Sequence, residues 1–339
     1  MEEQISVVSS VKREDWSKFV SENPYGNVFQ TPEMEEVYSK TKNLEPICLF
    51  AVDESDNILS SILAYVSTEK GGVFKHVSRR AVVSGGPLFK DSADGRISFP
   101  KLMQSYDEIA SKKTIFTDIR MIQSIPEFTE LQGLGYKHEE HLNFILNLSR
   151  PEEVTWEGIH KSKKRGIKKA QNSGVTIHEA KNQDDIKVAY NLLKDTYGRA
   201  KIPVVDSTLF ESAFEILGPL DRFRVFLLTH SGRQVATRII LTYRDTVSDW
   251  YNGCTEESFD LCANDLSEWN AIKWSIDNRY KFFDFCGAGK PNEPYGPREF
   301  KRGFGGQLVN FGRYRKVYHP SRLKIAKVGY DVYRKAFIR

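Results

Sequence analysis

The sequence predicts an α/β protein with mixed sheets, built as two like units in tandem. Three observations carry this. The chain has 339 residues, room for two domains at roughly 100–200 residues each. A series of hairpin, strand, helix, strand and glycine turn occurs twice in the same order, at offsets of about 166 to 176 residues. Hydrophobic residues make up 40% and charged residues 28% of the chain, an ordinary globular balance with no apolar run near the ~18 residues of a membrane span.

The elements follow in order. Residues 47–52 (ICLFAV) and 58–66 (ILSSILAYV) flank a turn from Asp53 to Asn57 and read as a hairpin. Residues 79–89 then give a strand, 99–111 a helix, and 114–120 (TIFTDIR) a second strand. The turn LQGLGYK (131–137) leads into an apolar strand. The second series starts with a helix around 184–197. A hairpin at 225–243 turns at Ser231-Gly232-Arg233, and the strand VSDWYNG spans 247–253. Leu266, Trp269, Ile272 and Ile276 then fall on one helical face. The strand KFFDFCG (281–287) sets Asp284 where the first series has Asp118, and KRGFGGQ (301–307) forms the second glycine turn. The boundary is expected at 147–151, with Ser149 capping a helix and Pro151 in its first turn. The first domain is therefore 1–147 plus a C-terminal helix at 318–339, and the second is 148–317. The tail helix carries Leu323, Ala326, Tyr330, Tyr333 and Phe337 on one side. It is basic and amphipathic, and it suits packing on its own protein or lying on an anionic membrane.

Composition excludes several classes. Cys48, Cys254, Cys262 and Cys286 make no CxxC pair, so neither a disulfide framework nor a compact metal site is expected. The seven histidines form no metal-ligand pair, and no metal is expected. No HExxH, GxSxG or GxxxxGK[ST] motif occurs. The acidic start MEEQISVVSS has no long apolar core, so a cytoplasmic protein is expected, with peripheral contact at the inner membrane face through the tail. Net charge is +4, but residues 311–339 hold nine Lys/Arg against Asp331, and the remainder is mildly acidic. A second cluster, Lys161-Ser-Lys163-Lys164-Arg165-Gly-Ile-Lys168-Lys169, places six cations in nine residues. Both suit a polyanionic partner or a solvated helix face.

The chemistry-bearing residues concentrate in the second series. Tyr295 to Gly306 combines glycines, which expose backbone N–H groups, with Lys301 and Arg302. The first series keeps the glycine turn there and lacks both charges. A turn needs glycine but not Lys-Arg, so the pair is a functional candidate. Trp250 and Tyr251 stack on a ligand or fill a core. Arg199 could hold a phosphate or carboxylate.

Four stretches are similar to the Fem-type aminoacyl transferases, which extend the peptide side chain of peptidoglycan precursors. They are Asn27-Val28-Phe29-Gln30-Thr31-Pro32-Glu33-Met34, where Met34 stands in place of a usual tryptophan; Trp156 to Val175; the second hairpin with Trp250-Tyr251; and Phe300-Lys301-Arg302-Gly303-Phe304-Gly305-Gly306. The likeness spans roughly residues 25–317. It implies a tandem duplication of the GNAT acyltransferase fold, here without the coiled-coil arm of some members. It also implies transfer of an aminoacyl group from aminoacyl-tRNA, as co-substrate, to an amine of a nucleotide- or lipid-linked cell-wall precursor, with no bound cofactor. By this resemblance Phe300 and Lys301 are catalytic, Lys301 stabilising the developing oxyanion. Tyr251 lines the acceptor site with Trp250 beside it. Arg199 holds the acceptor's phosphates, and Arg302, Lys163 and Arg165 bind substrate. The family's substrate-binding lysine in the entry helix has no match after Met34. The alternative is an acyl-CoA-dependent N-acyltransferase acting on a sugar or a polysaccharide or lipid precursor. Against it, Arg302-x-x-Gly305-x-Gln307 departs from the GNAT pyrophosphate pattern [QR]-x-x-G-x-[GA] at its last position.

Overall fold

The computed structural model describes residues 5–68, 79–125, 128 and 130–325. The described residues fall into two compact units, Met1–Glu140 with Phe311–Arg339, and His141–Asn310.

The first unit runs β1 (Ser6–Val8), α1 (Arg13–Glu22), α2 (Pro32–Lys40), β2 (Leu44–Val52), β3 (Ile58–Ser67), β4 (Arg80–Ser84), β5 (Leu88–Phe89), α3 (Ala93–Lys113), β6 (Phe116–Arg120), α4 (Glu130–Gly133) and β7 (Lys137–Glu139). The second runs β8 (Leu142–Asn147), α5 (Glu152–Glu157), α6 (Lys161–Asn172), β9 (Thr176–Glu179), α7 (Gln183–Arg199), α8 (Thr208–Ile216), β10 (Phe223–His230), β11 (Arg233–Tyr243), β12 (Thr246–Cys254), α9 (Glu257–Leu261), α10 (Ala263–Asp277), β13 (Phe282–Asp284), α11 (Gly296–Arg302) and β14 (Gln307–Asn310). The chain then returns to the first unit as β15 (Arg313–Val317).

The duplication is visible in strand order. The first sheet reads β1-β2-β3-β4-β6-β15-β7, with β5 on β3, and the second reads β9-β10-β11-β12-β13-β8-β14. Position by position these match, including one parallel pair in each, β4–β6 and β12–β13. The sixth place is exchanged. β8 follows the first copy in sequence but pairs β13 and β14, whereas β15 follows the second copy and pairs β6 and β7. The expected divisions at 147/148 and 317/318 therefore move to 140/141 and 310/311. The apolar runs do form strands, but the backbone groups that complete each sheet come from the other copy's last strand.

Local chemistry sets the elements. The first hairpin closes through Asp53, whose carboxylate accepts from the backbone of Ser55 and Asn57. The second closes on Ser231 and Gly232, both in the left-handed region that a two-residue hairpin turn requires. Pro151 itself occupies the N-cap position of α5, so the expected Ser149 cap lies two residues too early. The second glycine turn is preceded by a helix, α11, which Pro297 starts. Of the tail, 320–325 are helical. Most of the expected amphipathic helix lies outside the described residues.

Each unit has its own core. Ile62, Val83, Ile119, Leu102 and Tyr106 meet in the first, where α3 backs the sheet. Phe283, Ile240, Leu266, Trp269 and Ile272 meet in the second, where α10 does the same. Full burial of each such side chain contributes about 1.5–3 kcal/mol. The Asn27–Met34 stretch has a structural task. Gln30 is buried in the gap of β3 between β4 and β5. Its amide donates to the carbonyls of Leu63 (3.0 Å) and Ser84 (2.9 Å) and accepts from Leu63 N (2.8 Å). It thus replaces a missing piece of strand.

Candidate active site

The two sheets differ at one place. In the first, β4 pairs β6 along all five of its residues, and Gly85 N extends the ladder to the carbonyl of Arg120. In the second, β12 pairs β13 only from Thr246 to Ser248. β12 then continues to Cys254 with β11 as its strand partner. Beyond Asp284 the other arm turns to β8, where Phe285 N and Ala288 N donate to Phe144 and Leu142. The parallel pair opens into a V with arms 249–254 and 285–288.

A bulge aims the side chains of the first arm. Ile240 pairs Asp249 and Ile239 pairs Tyr251, so Trp250 is the extra residue. Asp249 lies on the α10 side of the sheet. Tyr251 and Trp250 lie on the other side, both against Phe210 of α8 (ring centroids 4.9 and 5.8 Å). Tyr197 of α7 stands 6.1 Å from Tyr251. Burial pushes its hydroxyl up to about 12, helped by Tyr295 and Asp249. At the tip of this arm Thr196 accepts from Cys254 N (2.7 Å), and Arg199 donates to the Cys254 carbonyl. Gly253 is required there, because a Cβ would lie 2.7 Å from the backbone of α7 at Leu192.

The floor of the V is charged and buried. Arg238 on β11, fully buried, contacts Asp249 (2.6 Å) and Glu268 of α10 (2.8 Å) through one nitrogen. It also donates to Ser267 and Asn264. Glu268 Oε1 has no hydrogen-bond partner among the described residues. Burial raises the Glu268 carboxyl to about 8, and neighbouring Asp249 adds to this against the pull of Arg238, Lys301 and Lys163. Asp284 is also buried and accepts from Asn143 Nδ2 (2.7 Å) and Cys286 N (2.7 Å). Burial raises its pKa as well.

The second arm carries Lys301. It lies in the last turn of α11, and its ammonium donates to the carbonyls of Cys286 and Gly287 (2.9 Å to the latter). An ammonium has three donors, and these two carbonyls are its acceptors among the described residues. The loop beneath is fixed by Arg298, a residue that sequence reasoning missed. It is buried and donates to the carbonyls of Ala288 (2.7 Å), Lys290 and Pro291 (3.2 Å). A lone arginine in YGPREF gives no sign of this.

Lys301 sits on one arm of the V, while Tyr251, Trp250 and Arg199 sit on the other. The remaining candidates are placed elsewhere. Arg302 is one residue on in α11, points to solvent and pairs with Glu299 (3.3 Å). Phe300 packs on Phe304 (5.2 Å) and lies under the Lys163 ammonium (4.0 Å). Lys163 turns inward from α6 to pair with Asp265 of α10 (2.8 Å). Arg165, two residues on, is exposed. The six-cation cluster is thus split by helical periodicity. Lys163 pins α6, and Gly166 lets α6 approach Asp265, where a Cβ would be 2.1 Å from a carboxylate oxygen. Lys161, Arg165, Lys168 and Lys169 remain exposed. His160 N donates to the carbonyl of Gly303 (2.8 Å), which sets the start of α6 beside the end of α11. Among the described residues no cluster of His, Cys, Asp and Glu could hold a metal, and no helix is long and apolar enough to cross a membrane.

Residues 159–302, which contain both arms, match the family model described as an acetyltransferase (GNAT) domain. No curated protein sequence matches the chain. Solved structures do resemble it. The crystal structure of FemX is 14% identical with a TM-score of 0.69, over 98% of this chain and 99% of that one. A tandem GNAT protein from the clavulanic acid biosynthesis pathway is 11% identical with a TM-score of 0.60, over 94% of this chain and 100% of that one. The C-terminal domain of a putative lysylphosphatidylglycerol synthetase from Agrobacterium fabrum is 13% identical with a TM-score of 0.58, over 95% and 96%. The second unit therefore carries a GNAT acyltransferase domain, and the chain as a whole has the Fem-like tandem GNAT fold.

Proposed function

We propose that this N-acyltransferase takes an aminoacyl group from aminoacyl-tRNA and delivers it to an amine of a peptidoglycan-precursor-like acceptor, nucleotide- or lipid-linked. The observation that carries the reading is the segment between β12 and α10. A coenzyme A diphosphate calls for a glycine-rich turn whose free N–H groups open a helix. Here that segment is Thr255-Glu256-Glu257-Ser258-Phe259-Asp260-Leu261-Cys262, with three acids and no glycine. Its N–H groups at Phe259 and Cys262 already bond within the short helix α9. Acids repel a diphosphate at the point where it would need donors. A tRNA ester needs no such turn, and the exposed cations of α6 suit its backbone.

In this reading the acceptor amine attacks the ester carbonyl. The new C–N bond forms, and the carbonyl oxygen becomes an oxyanion that takes the third N–H of Lys301. The C–O bond to ribose then breaks, and the proton lost by the amine goes to the departing ribose oxygen. Tyr251 and Trp250 would wall the acceptor side. Arg199 keeps the tip of that arm in place through the Cys254 carbonyl. The test is turnover by the full chain with radiolabelled aminoacyl-tRNA and a nucleotide-linked muramyl pentapeptide, set against acetyl-CoA with an amino sugar. Product in the first tube alone is expected. Product in the second alone would transfer the assignment to the acyl-CoA alternative.

A further inference from the structure

Asp284 stands at the point where the second sheet opens, and the first copy supplies an internal comparison. In the first sheet Asp118 pairs Val82, and the parallel ladder goes on through Ile119 with Val83 and Arg120 with Ser84. In the second, Asp284 pairs Ser248 and is the last rung. On β12 the bulge at Trp250 takes the place of the rungs that would follow. On the other side Cys286, which corresponds to Arg120, leaves the strand with φ 52°. That is the left-handed region, which a residue with a Cβ keeps only when its surroundings hold it there. Arg120 stays within its strand.

What holds Cys286 is the side chain two residues before it. Asp284 Oδ1 accepts from Cys286 N (2.7 Å) and from Asn143 Nδ2 of β8 (2.7 Å). Asn143 is fixed in turn, because its own Oδ1 accepts from Phe144 N (2.8 Å). Asn143 and Asp284 are both buried, where leaving either without its partner is costly. The bent backbone then presents the carbonyls of Cys286 and Gly287 to the Lys301 ammonium. The Asp118 carboxylate, in the matching place of the first copy, goes to Arg315 instead (2.9 Å), and its strand runs on. Two aspartates at one position of a repeated fold thus send their carboxylates to different partners, and the ladder closes beyond one and opens beyond the other.

We infer that Asp284, clamped by Asn143, is a positioning residue: its carboxylate ends the parallel pairing at the fork of the V and sets the two carbonyls on which Lys301 is seated. Its kinetic consequence rests on the role proposed above for Lys301, whereas its structural consequence does not. Both are tested on the full chain. Backbone amide exchange, read by NMR, should quicken at Cys286 by at least about tenfold in Asp284→Ala. The amides of Phe285 and Ala288, which bond to β8, should keep their protection. Asp284→Asn still offers one oxygen to both donors and should exchange like wild type. Unchanged exchange at Cys286, or an equal loss at all three amides, would overturn the assignment. If Asp284→Ala does not fold, Asn143→Ala decides. It leaves the acceptor and removes its clamp, so faster exchange at Cys286 supports the assignment and unchanged exchange overturns it. In turnover, Asp284→Ala should lower kcat by about tenfold or more with little change in acceptor KM, and Asp284→Asn should restore it. Added to Lys301→Met, Asp284→Ala should cost nothing further, since the two act through one group. A fully additive loss in that double variant would overturn the positioning role. Local loss of protection at Cys286 in an enzyme of normal turnover would refute the role of Lys301 instead, and would leave the turn assigned to Asp284.

Discussion

Replacing Lys301 by methionine keeps the length of the side chain and removes its charge. In the structure the ammonium has two acceptors among the described residues, the carbonyls of Cys286 and Gly287, and in the proposed reaction its third N–H takes the oxyanion. The substitution therefore has two separable effects. Losing the donor aimed at the oxyanion should slow the chemical step by about 10²–10³, equivalent to about 2.7–4 kcal/mol. Losing the two carbonyl bonds loosens the turn at 286–287. Because Lys301 is only half-buried, that cost to stability should stay near about 1 kcal/mol. Arg298 still holds the next carbonyls. Single-turnover rates at saturating donor and acceptor read the first effect, and urea unfolding reads the second. The expected pattern is a fall of at least a hundredfold in rate, little change in acceptor KM, and a nearly unchanged unfolding midpoint. A Lys301→Met enzyme with a near-normal single-turnover rate would refute the oxyanion role. A loss of rate that merely tracks a collapse of stability would show the lysine to be a strut for the turn.

Further outcomes follow from the same geometry. Neutralising Lys161, Arg165, Lys168 and Lys169 together should weaken tRNA binding and flatten its salt dependence, since released counterions set that slope; filter binding across a salt series measures it, and an unchanged slope would make α6 a plain solvated face. Lys163→Met should leave the salt slope alone but lower the unfolding midpoint, because Asp265 loses its partner. Glu268 has its pKa raised from the ordinary 4.5 to about 8, so its contribution to stability is complete below about pH 4.5 and is lost as pH rises through 8; urea midpoints of Glu268→Gln should fall less across that window than those of wild type. Gln30→Ala leaves the Leu63 and Ser84 backbone groups buried without partners and should cost about 3 kcal/mol by urea unfolding.

Much of the fold was readable because its signals are local. Asp53 to Asn57 and Ser231-Gly232 are turns by their own chemistry, and the apolar spacing of Leu266, Trp269 and Ile272 fixes a buried helix face. The exchange of β8 and β15 was not readable. LNFILN and RYRKV are each a competent strand for either sheet, and only the assembled edges decide which one they complete. The site was half-legible for a similar reason. Lys301 stood out by contrast with the first copy. Arg238 did not, because VATRIILTY reads as an ordinary alternating strand, and the two carboxylates that bury its charge come from β12 and α10. Charge density misled at α6, where adjacent cations go to different sides of a helix and Lys163 ends in an ion pair while Arg165 meets solvent.

The two copies differ in how far their parallel pair stays closed. Closing β4 on β6 along five residues satisfies the backbone of the first sheet and leaves no gap for a substrate. In the second sheet the bulge at Trp250 ends the parallel pairing after Ser248 and separates Asp249 from Tyr251. The residue corresponding to Asp284 is Asp118, and the contrast extends to their partners. Asp284 is held by neutral donors, Asn143 and the Cys286 amide, and so stays within the electrostatic reach of Lys301. Asp118 is bound instead by arginines of β6 and β15, which lower its pKa. The same position in a repeated fold thus serves in one copy as a buried floor beside the Lys301 ammonium. In the other it gathers Arg120, Arg313 and Arg315. A duplicated unit can divide labour in this way because the strand ladder fixes where each side chain points, while the pairing beyond it decides whether the sheet stays shut.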